Sequence, residues 1–168
     1  KLGELYYTEE SFDDFYLGKG SSYPDVHGAV GILFEQASSR GMVQKTKHGT
    51  RRFSDTVRNQ LTTSLSSLET VQKLRVKLNN HKREFYRESR RLAEIGDVSA
   101  FVVSSDDAYR LRAFKETLSR HDIHSHWKDE DRELATSRIR VTKSLVIPTE
   151  QPEYRFLMGL MQQHETFR

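Results

Sequence analysis

The residues best suited to chemistry lie where an apolar run ends in a single acidic side chain. Residues 29–34 read AVGILF, and Glu35 follows directly. The run predicts a β-strand, and α/β proteins collect catalytic groups where strands end beside loops rich in glycine and serine. A carboxylate in that place can accept a proton from water and pass it to a leaving group. A solvated loop residue is the other interpretation of Glu35, and this pattern alone leaves both open.

A tyrosine precedes this carboxylate at a spacing that is typical of one enzyme family. Tyr16 lies about twenty residues before the pair Phe34 and Glu35. This order resembles the end of the catalytic domain of zinc metallocarboxypeptidases of the carboxypeptidase A type, particularly the long bacterial members with an extra C-terminal region. The resemblance implies that Glu35 is the general base and acid and that Tyr16 contacts the substrate. Tyr23 is a second candidate for the tyrosine role, with a shorter spacing to Glu35.

The resemblance also implies a cofactor and a mechanism. Zinc brings the pKa of its bound water down to about 7, so that a nearby carboxylate can take the proton at neutral pH. Glu35 would take that proton and hand it to the leaving amine of a peptide substrate. Deacylases that cleave N-acyl amino acids share this fold, so the substrate class stays open between the two. A secreted or periplasmic location is compatible with the resemblance, although the residues themselves leave the compartment open.

The segment before Glu35 lacks the zinc-ligand motif of the family. Those ligands, a His and a Glu in an HxxE motif and a later His, all precede the general base. Only 34 residues precede Glu35 here, and they contain one histidine, His27, and no HxxE. We therefore expect a C-terminal fragment of the enzyme that lacks the N-terminal catalytic segment. Zn²⁺ is expected in the full-length protein and no metal in this fragment, which should be inactive alone.

Two other groups of histidines are candidate metal ligands. His81 and Glu84 form an HxxE string, but they follow the general base and lie in a predicted charged helix. His124 and His126 would point to the same face of a strand, and His121 precedes them. The alternation is compatible with a weak metal site, whereas a solvated strand end is the simpler interpretation.

The fold class expected from these patterns is α/β, in three parts. Residues 1–53 form the end of the catalytic domain, including a polar surface loop at 36–52. Residues 54–96 form one long amphipathic, basic helix, because apolar residues recur there at steps of three and four and neither Pro nor Gly occurs before Gly96. These apolar positions are Val57, Leu61, Leu65, Leu68, Val71, Leu74 and Leu78. Residues 97–168 form a small α/β accessory domain.

The accessory domain is predicted as strand, helix, strand, strand and helix. Strands are expected at 99–105, 123–127 and 138–149, and helices at 106–118, capped by Asp106, and at 151–164. A strand, a helix and a second strand in this length favour a right-handed crossover and a parallel sheet. Val146, Ile147 and Pro148, followed by Gln151 and Pro152, resemble the C-terminal extension of the same long carboxypeptidases.

Composition excludes several other classes of protein. The 168 residues include no cysteine, which excludes disulfides and thiol catalysis, and no apolar run approaches the roughly 20 residues of a membrane span. A noncatalytic interaction module that uses the basic helix or the α/β unit is the alternative function. Nucleic-acid binding by the helix is disfavoured, because the net charge is only +3 and no recognised motif frames the basic residues. Apolar surface left by a missing segment would favour a homo-oligomer.

Overall fold

The computed structural model describes residues 6–7, 16–134 and 139–161. The described chain is mixed α/β, with three α-helices and two small antiparallel sheets. Its contacts form two compact units. Unit 1 comprises residues 1–25 and 29–82, and unit 2 comprises residues 26–28 and 83–168. The domain boundaries expected after residues 53 and 96 stay predictions.

Unit 1 contains a hairpin where a polar loop was expected. Strand β1 (Val43–Thr46) pairs antiparallel with β2 (Gly49–Arg52) across a two-residue turn. The Thr46 hydroxyl donates to the Gly49 carbonyl and accepts from the amide of His48, which closes the turn. Both strands are mostly exposed. Their sequences, VQKT and GTRR, lack the alternation of apolar and polar residues by which a half-buried strand is predicted.

Helix α1 spans Phe53–Ile95, close to the predicted helix over 54–96. Gly96 follows its last residue, as expected for a residue that ends a helix. Apolar residues of the predicted stripe are nevertheless exposed, from 42% at Leu74 to 69% at Leu68. The stripe therefore gains little burial from the described residues of unit 1. No helix in the described part of the chain has the apolar length that a bilayer span requires.

Unit 2 holds a three-stranded sheet and two further helices. Its elements after α1 are β3 (Ala100–Ser104), α2 (Ala108–Arg120), β4 (His126–Leu134), β5 (Ile139–Pro148) and α3 (Tyr154–Met161). The strand order is β3-β5-β4, and β5 runs antiparallel to both neighbours. The predicted parallel sheet is therefore wrong. Strands β3 and β4 do point the same way, but β5 lies between them and pairs with both. Strand β5 follows β4 after only four residues, which favours their antiparallel pairing.

The core of unit 2 lies between the sheet and its helices. Its buried hydrophobic residues are Ala93, Leu111, Leu118, Ile123, Leu145, Ile147, Phe156 and Leu157. Helix α2 is capped by Asp107 rather than by the predicted Asp106, because the Asp107 carboxylate accepts the amides of Tyr109 and Arg110 at 3.0 Å. Helix α3 begins at Tyr154, not at Gln151, and residues 162–164 of the predicted helix lie outside the described residues.

Candidate functional site

The segment from Tyr16 to Gly31 is a series of turns tied together by its own hydrogen bonds. The amide of Lys19 donates to the Tyr16 carbonyl at 3.2 Å, and that of Tyr23 donates to the Lys19 carbonyl at 2.9 Å. Further along, the amide of Ala29 donates to the Pro24 carbonyl at 2.9 Å. Glycine and proline supply the backbone angles that such turns need. The loop that carries the predicted substrate tyrosines is thus internally braced.

Tyr16 presents its side chain at the surface of this loop. The side chain is 66% exposed, whereas Tyr23 is half-buried. The Tyr16 carbonyl accepts a hydrogen bond from the buried Ser22 hydroxyl at 2.5 Å, which holds the backbone while the ring stays accessible. The ring folds over Gly18, where a Cβ would lie 2.6 Å from the tyrosine oxygen. Of the two predicted substrate tyrosines, Tyr16 is the one with the accessible ring.

Glu35 lies in a stretch, residues 30–39, that has no helix or strand. The strand predicted at 29–34 is therefore wrong, because an extended segment becomes a strand only when its backbone pairs with a neighbour. Here the Phe34 carbonyl accepts one long hydrogen bond from the Gln60 side chain, at 3.4 Å. Glu35 is exposed, and no hydrogen bond joins it to Tyr16 among the described residues. The Tyr16 ring and the Glu35 carboxylate are both accessible.

The apolar run before Glu35 is itself exposed. Val30, Ile32, Leu33 and Phe34 are each between 51% and 62% accessible. The described residues of unit 1 leave these four large apolar side chains uncovered. Exposed apolar surface can mark a place where further polypeptide packs.

Gly31 is the point at which the turn loop approaches the start of this run. A Cβ at Gly31 would overlap the carbonyl oxygen of Ser21. The Gly31 amide donates to the Asp25 carboxylate at 2.7 Å, which ties the run back to the loop. Close backbone approach with no room for a side chain is a use that only glycine permits.

Replacing Gly31 by Ala should therefore open the loop. We expect a local cost of about 1–3 kcal/mol, because the inserted methyl group forces the two backbone segments apart. Amide hydrogen exchange at Ala29 and residue 31 measures the change. Gly20→Ala is the matched control, since nothing lies within 4 Å of a Cβ there. Equal exchange rates in the two variants would contradict the close approach.

A buried polar cluster in unit 2 was not predicted from the sequence. His27 places its Nδ1 atom 2.8 Å from a carboxylate oxygen of Glu153, and the Tyr86 hydroxyl donates to the other oxygen at 3.1 Å. In the sequence, His27 is a lone loop histidine without an HxxE partner. No local signal could have found the cluster, because 126 residues separate His27 from Glu153.

His81, His121, His124 and His126 are the other histidines that the sequence offers as metal ligands. Among the described residues, no group of three or more His, Cys, Asp or Glu side chains could hold a metal ion. His81 is exposed on α1, and Glu84 pairs with Arg87 at 2.6 Å. The His121 ring packs against Phe156 with centroids 5.3 Å apart.

The basic part of α1 carries several pairs within the helix itself. Lys73 lies 2.6 Å from Glu69, Arg87 from Glu84 at the same distance, and Arg91 binds Glu88 with two hydrogen bonds. The hydrogen bond from Arg91 lowers the pKa of Glu88. Such pairs reduce the positive charge that the helix offers to phosphates, which fits a solvated face better than a nucleic-acid site.

No family model, no curated protein and no solved structure matches this chain. Function therefore has to be inferred from the residues and contacts described above.

Proposed function

We propose that this chain is the C-terminal part of a zinc metallocarboxypeptidase, which removes C-terminal residues from peptides. Glu35 is the general base and acid, and Tyr16 contacts the substrate, with Tyr23 as the second candidate for that role. The observation that carries the proposal is the spacing of Tyr16 from the Phe34 and Glu35 pair, with both functional side chains accessible. General acid and base catalysis needs a carboxylate that can reach substrate and water, and Glu35 is exposed.

The chain's own contribution to the reaction is proton transfer and substrate contact. The Glu35 carboxylate takes a proton from the attacking water and returns it to the nitrogen of the leaving amine. The Tyr16 ring, held at the surface by its backbone hydrogen bonds, contacts the substrate. The described residues do not fit a zinc site, since no ligand group was found among them. The zinc ligands are assigned to the N-terminal catalytic segment of the full-length protein.

Exposed apolar surface in unit 1 supports the existence of such a segment. The run before Glu35 is more than half exposed, and so are most of the stripe residues on α1. A monomer rarely leaves apolar surface of that extent open to water. The N-terminal segment would cover this run and the stripe.

The proposal is tested by the substrate requirement of the longer, zinc-loaded protein. We expect hydrolysis of peptides with a free C-terminal carboxylate and none of the same peptides with a C-terminal amide. The 168-residue chain alone should hydrolyse neither. Cleavage of N-acyl amino acids in place of peptides would assign the protein to the deacylases of the same fold. Absence of all these activities in the zinc-loaded protein would refute the proposed function.

A further inference from the structure

Strand β3 lies at one edge of the sheet of unit 2, with β5 on one side and no strand among the described residues on the other. The burial of its residues agrees with this position. None of the five residues of β3 is buried, whereas Ser144, Leu145 and Ile147 of the central strand β5 are fully buried. Val102, in the middle of β3, is 51% exposed. Strand β3 is therefore accessible along its length.

The pairing of β3 with β5 leaves part of the β3 backbone pointing outward. The amide of Thr149 donates to the carbonyl of Ser99 at 3.0 Å, so these two residues form a hydrogen-bonded pair beside the ladder. Such pairs alternate along an antiparallel ladder, so Phe101 and Val103 direct their backbone groups to β5. The backbone groups of the alternate residues point away from β5, and these residues are Ala100, Val102 and Ser104. No hydrogen bond joins those groups to another residue among those described.

The composition of β3 favours pairing with a further strand. An exposed edge accepts another strand unless charged residues, proline or a bulge oppose it. Strand β4, the other edge of the same sheet, reads HWKDEDREL, and its register with β5 shifts between Asp129 and Arg132. The two hairpin strands read VQKT and GTRR. Strand β3 reads AFVVS and is the one edge strand of the described chain without a charged residue.

Strand β3 is complementary to itself when two copies run antiparallel about Val102. The outward amide and carbonyl of Val102 then meet those of the second Val102, and Ala100 meets Ser104 of the second copy in the same way. Phe101 lies opposite Val103 of the second copy in a non-hydrogen-bonded pair, where opposed side chains are closest. Pairs of an aromatic and a β-branched residue stabilise antiparallel strands.

The same pairing extends the core of unit 2 from one copy to the other. Phe101 lies opposite Ile147 and Val103 opposite Leu145, so their side chains share a face of the sheet with two fully buried residues. Phe101 and Val103 are themselves only half-buried. A second copy of β3 covers the exposed part of both side chains.

We propose that unit 2 pairs with a second copy of this chain through β3, in an antiparallel strand pair centred on Val102. A second copy is the partner that the strand itself specifies, since AFVVS set against its reverse opposes apolar to apolar and small to small residues. The joined sheet has the strand order β4-β5-β3-β3-β5-β4, so the charged strand β4 forms both outer edges and opposes further growth. The contact is small for an interface, so the dimer is weak and reversible. It does not depend on the proposed chemistry of Glu35.

Sedimentation of the 168-residue chain over a series of concentrations tests the dimer. The parent chain should show an equilibrium between monomer and dimer. Val102→Lys should raise the dissociation constant of the dimer at least about 10-fold, because two like charges then lie opposite each other at its centre. Val43→Lys is the matched control, since Val43 is a strand residue of 50% exposure on β1, and it should leave the constant unchanged.

Two results of this experiment would overturn the proposal. One is a parent chain that stays monomeric, which would leave the β3 edge for a strand of another protein. The other is a parental dissociation constant in Val102→Lys. Loss of the dimer in Leu65→Lys would then assign the contact to the apolar stripe of α1, where Leu65 is 57% exposed.

Amide hydrogen exchange on the parent chain reports the strand pairing itself, and it applies even if Val102→Lys folds poorly. The Val102 amide points away from β5, so its protection should rise with protein concentration as the dimer forms. The amides of Phe101 and Val103 bond to β5 and should be protected at every concentration. A dimer that forms without added protection at the Val102 amide would overturn the proposal, because its contact would not be the β3 edge.

Discussion

In the longer, zinc-loaded protein, replacing Glu35 by Gln is expected to lower kcat about 10²–10⁴-fold, the usual contribution of a positioned general base and acid. The amide has nearly the shape of the carboxylate but cannot take a proton from water or give one to the leaving amine. Substrate contacts stay in place, so KM should change little. Steady-state hydrolysis of peptides with a free C-terminus measures both constants.

The control for this variant is another exposed carboxylate of the same chain. Glu94 lies near the end of α1, is exposed, and has no place in the proposed chemistry. Glu94→Gln should keep the parent kcat. A Glu35→Gln protein with the parent kcat would remove Glu35 from the mechanism and leave the solvated-loop interpretation.

Replacing Gln151 by Glu is expected to lower the free energy of unfolding of unit 2 by about 1–3 kcal/mol, because the carbonyls of Pro148 and His124 lose their donor. Gln151 is 6% exposed and bridges two segments. Its carbonyl oxygen accepts from the His124 amide at 2.7 Å, and its amide donates to the carbonyls of Pro148 and His124 at 2.5 and 3.3 Å. A glutamate fits the same space but turns one donor group into an acceptor facing two carbonyls.

Urea unfolding followed by tryptophan fluorescence measures this loss. Trp127 is the single tryptophan of the chain and lies on β4, so its emission reports unit 2. Glu150→Ala, one residue away and exposed, should leave the midpoint unchanged. Gln151 connects the segment before β4 to the end of β5 by its hydrogen bonds. An unfolding midpoint of Gln151→Glu at the same urea concentration as that of the parent protein would contradict the stabilising role of this connection.

Local elements were largely predictable because their signals are local. Apolar spacing predicted α1, and a β-branched run predicted β3. Gln151 and Pro152 belong to the pattern that resembles a family, but the dipeptide does not predict the three hydrogen bonds of Gln151. The cap of α2 was misplaced by one residue, since adjacent aspartates are equally suitable by type and only backbone geometry selects Asp107.

Sheet order and strand formation were not predictable in the same way. The pattern of strand, helix and strand is compatible with neighbouring parallel strands. In the structure, β5 lies between β3 and β4 and pairs with both, so these two strands are not neighbours. The run at 29–34 has strand composition but no pairing partner among the described residues. Residues 43–52 have polar composition and still form a hairpin, since a tight turn brings their backbones together.

The sequence by itself predicted the three helices and their apolar faces, and the family resemblance proposes Tyr16 and Glu35 as the residues for chemistry. Only the tertiary structure decided that Glu153 meets His27 and Tyr86, that Gln151 meets His124, and that the apolar run before Glu35 stays open. The physical reason is that side-chain periodicity records which face will be buried, whereas the partner of that face is a nonlocal contact that the chain acquires on folding.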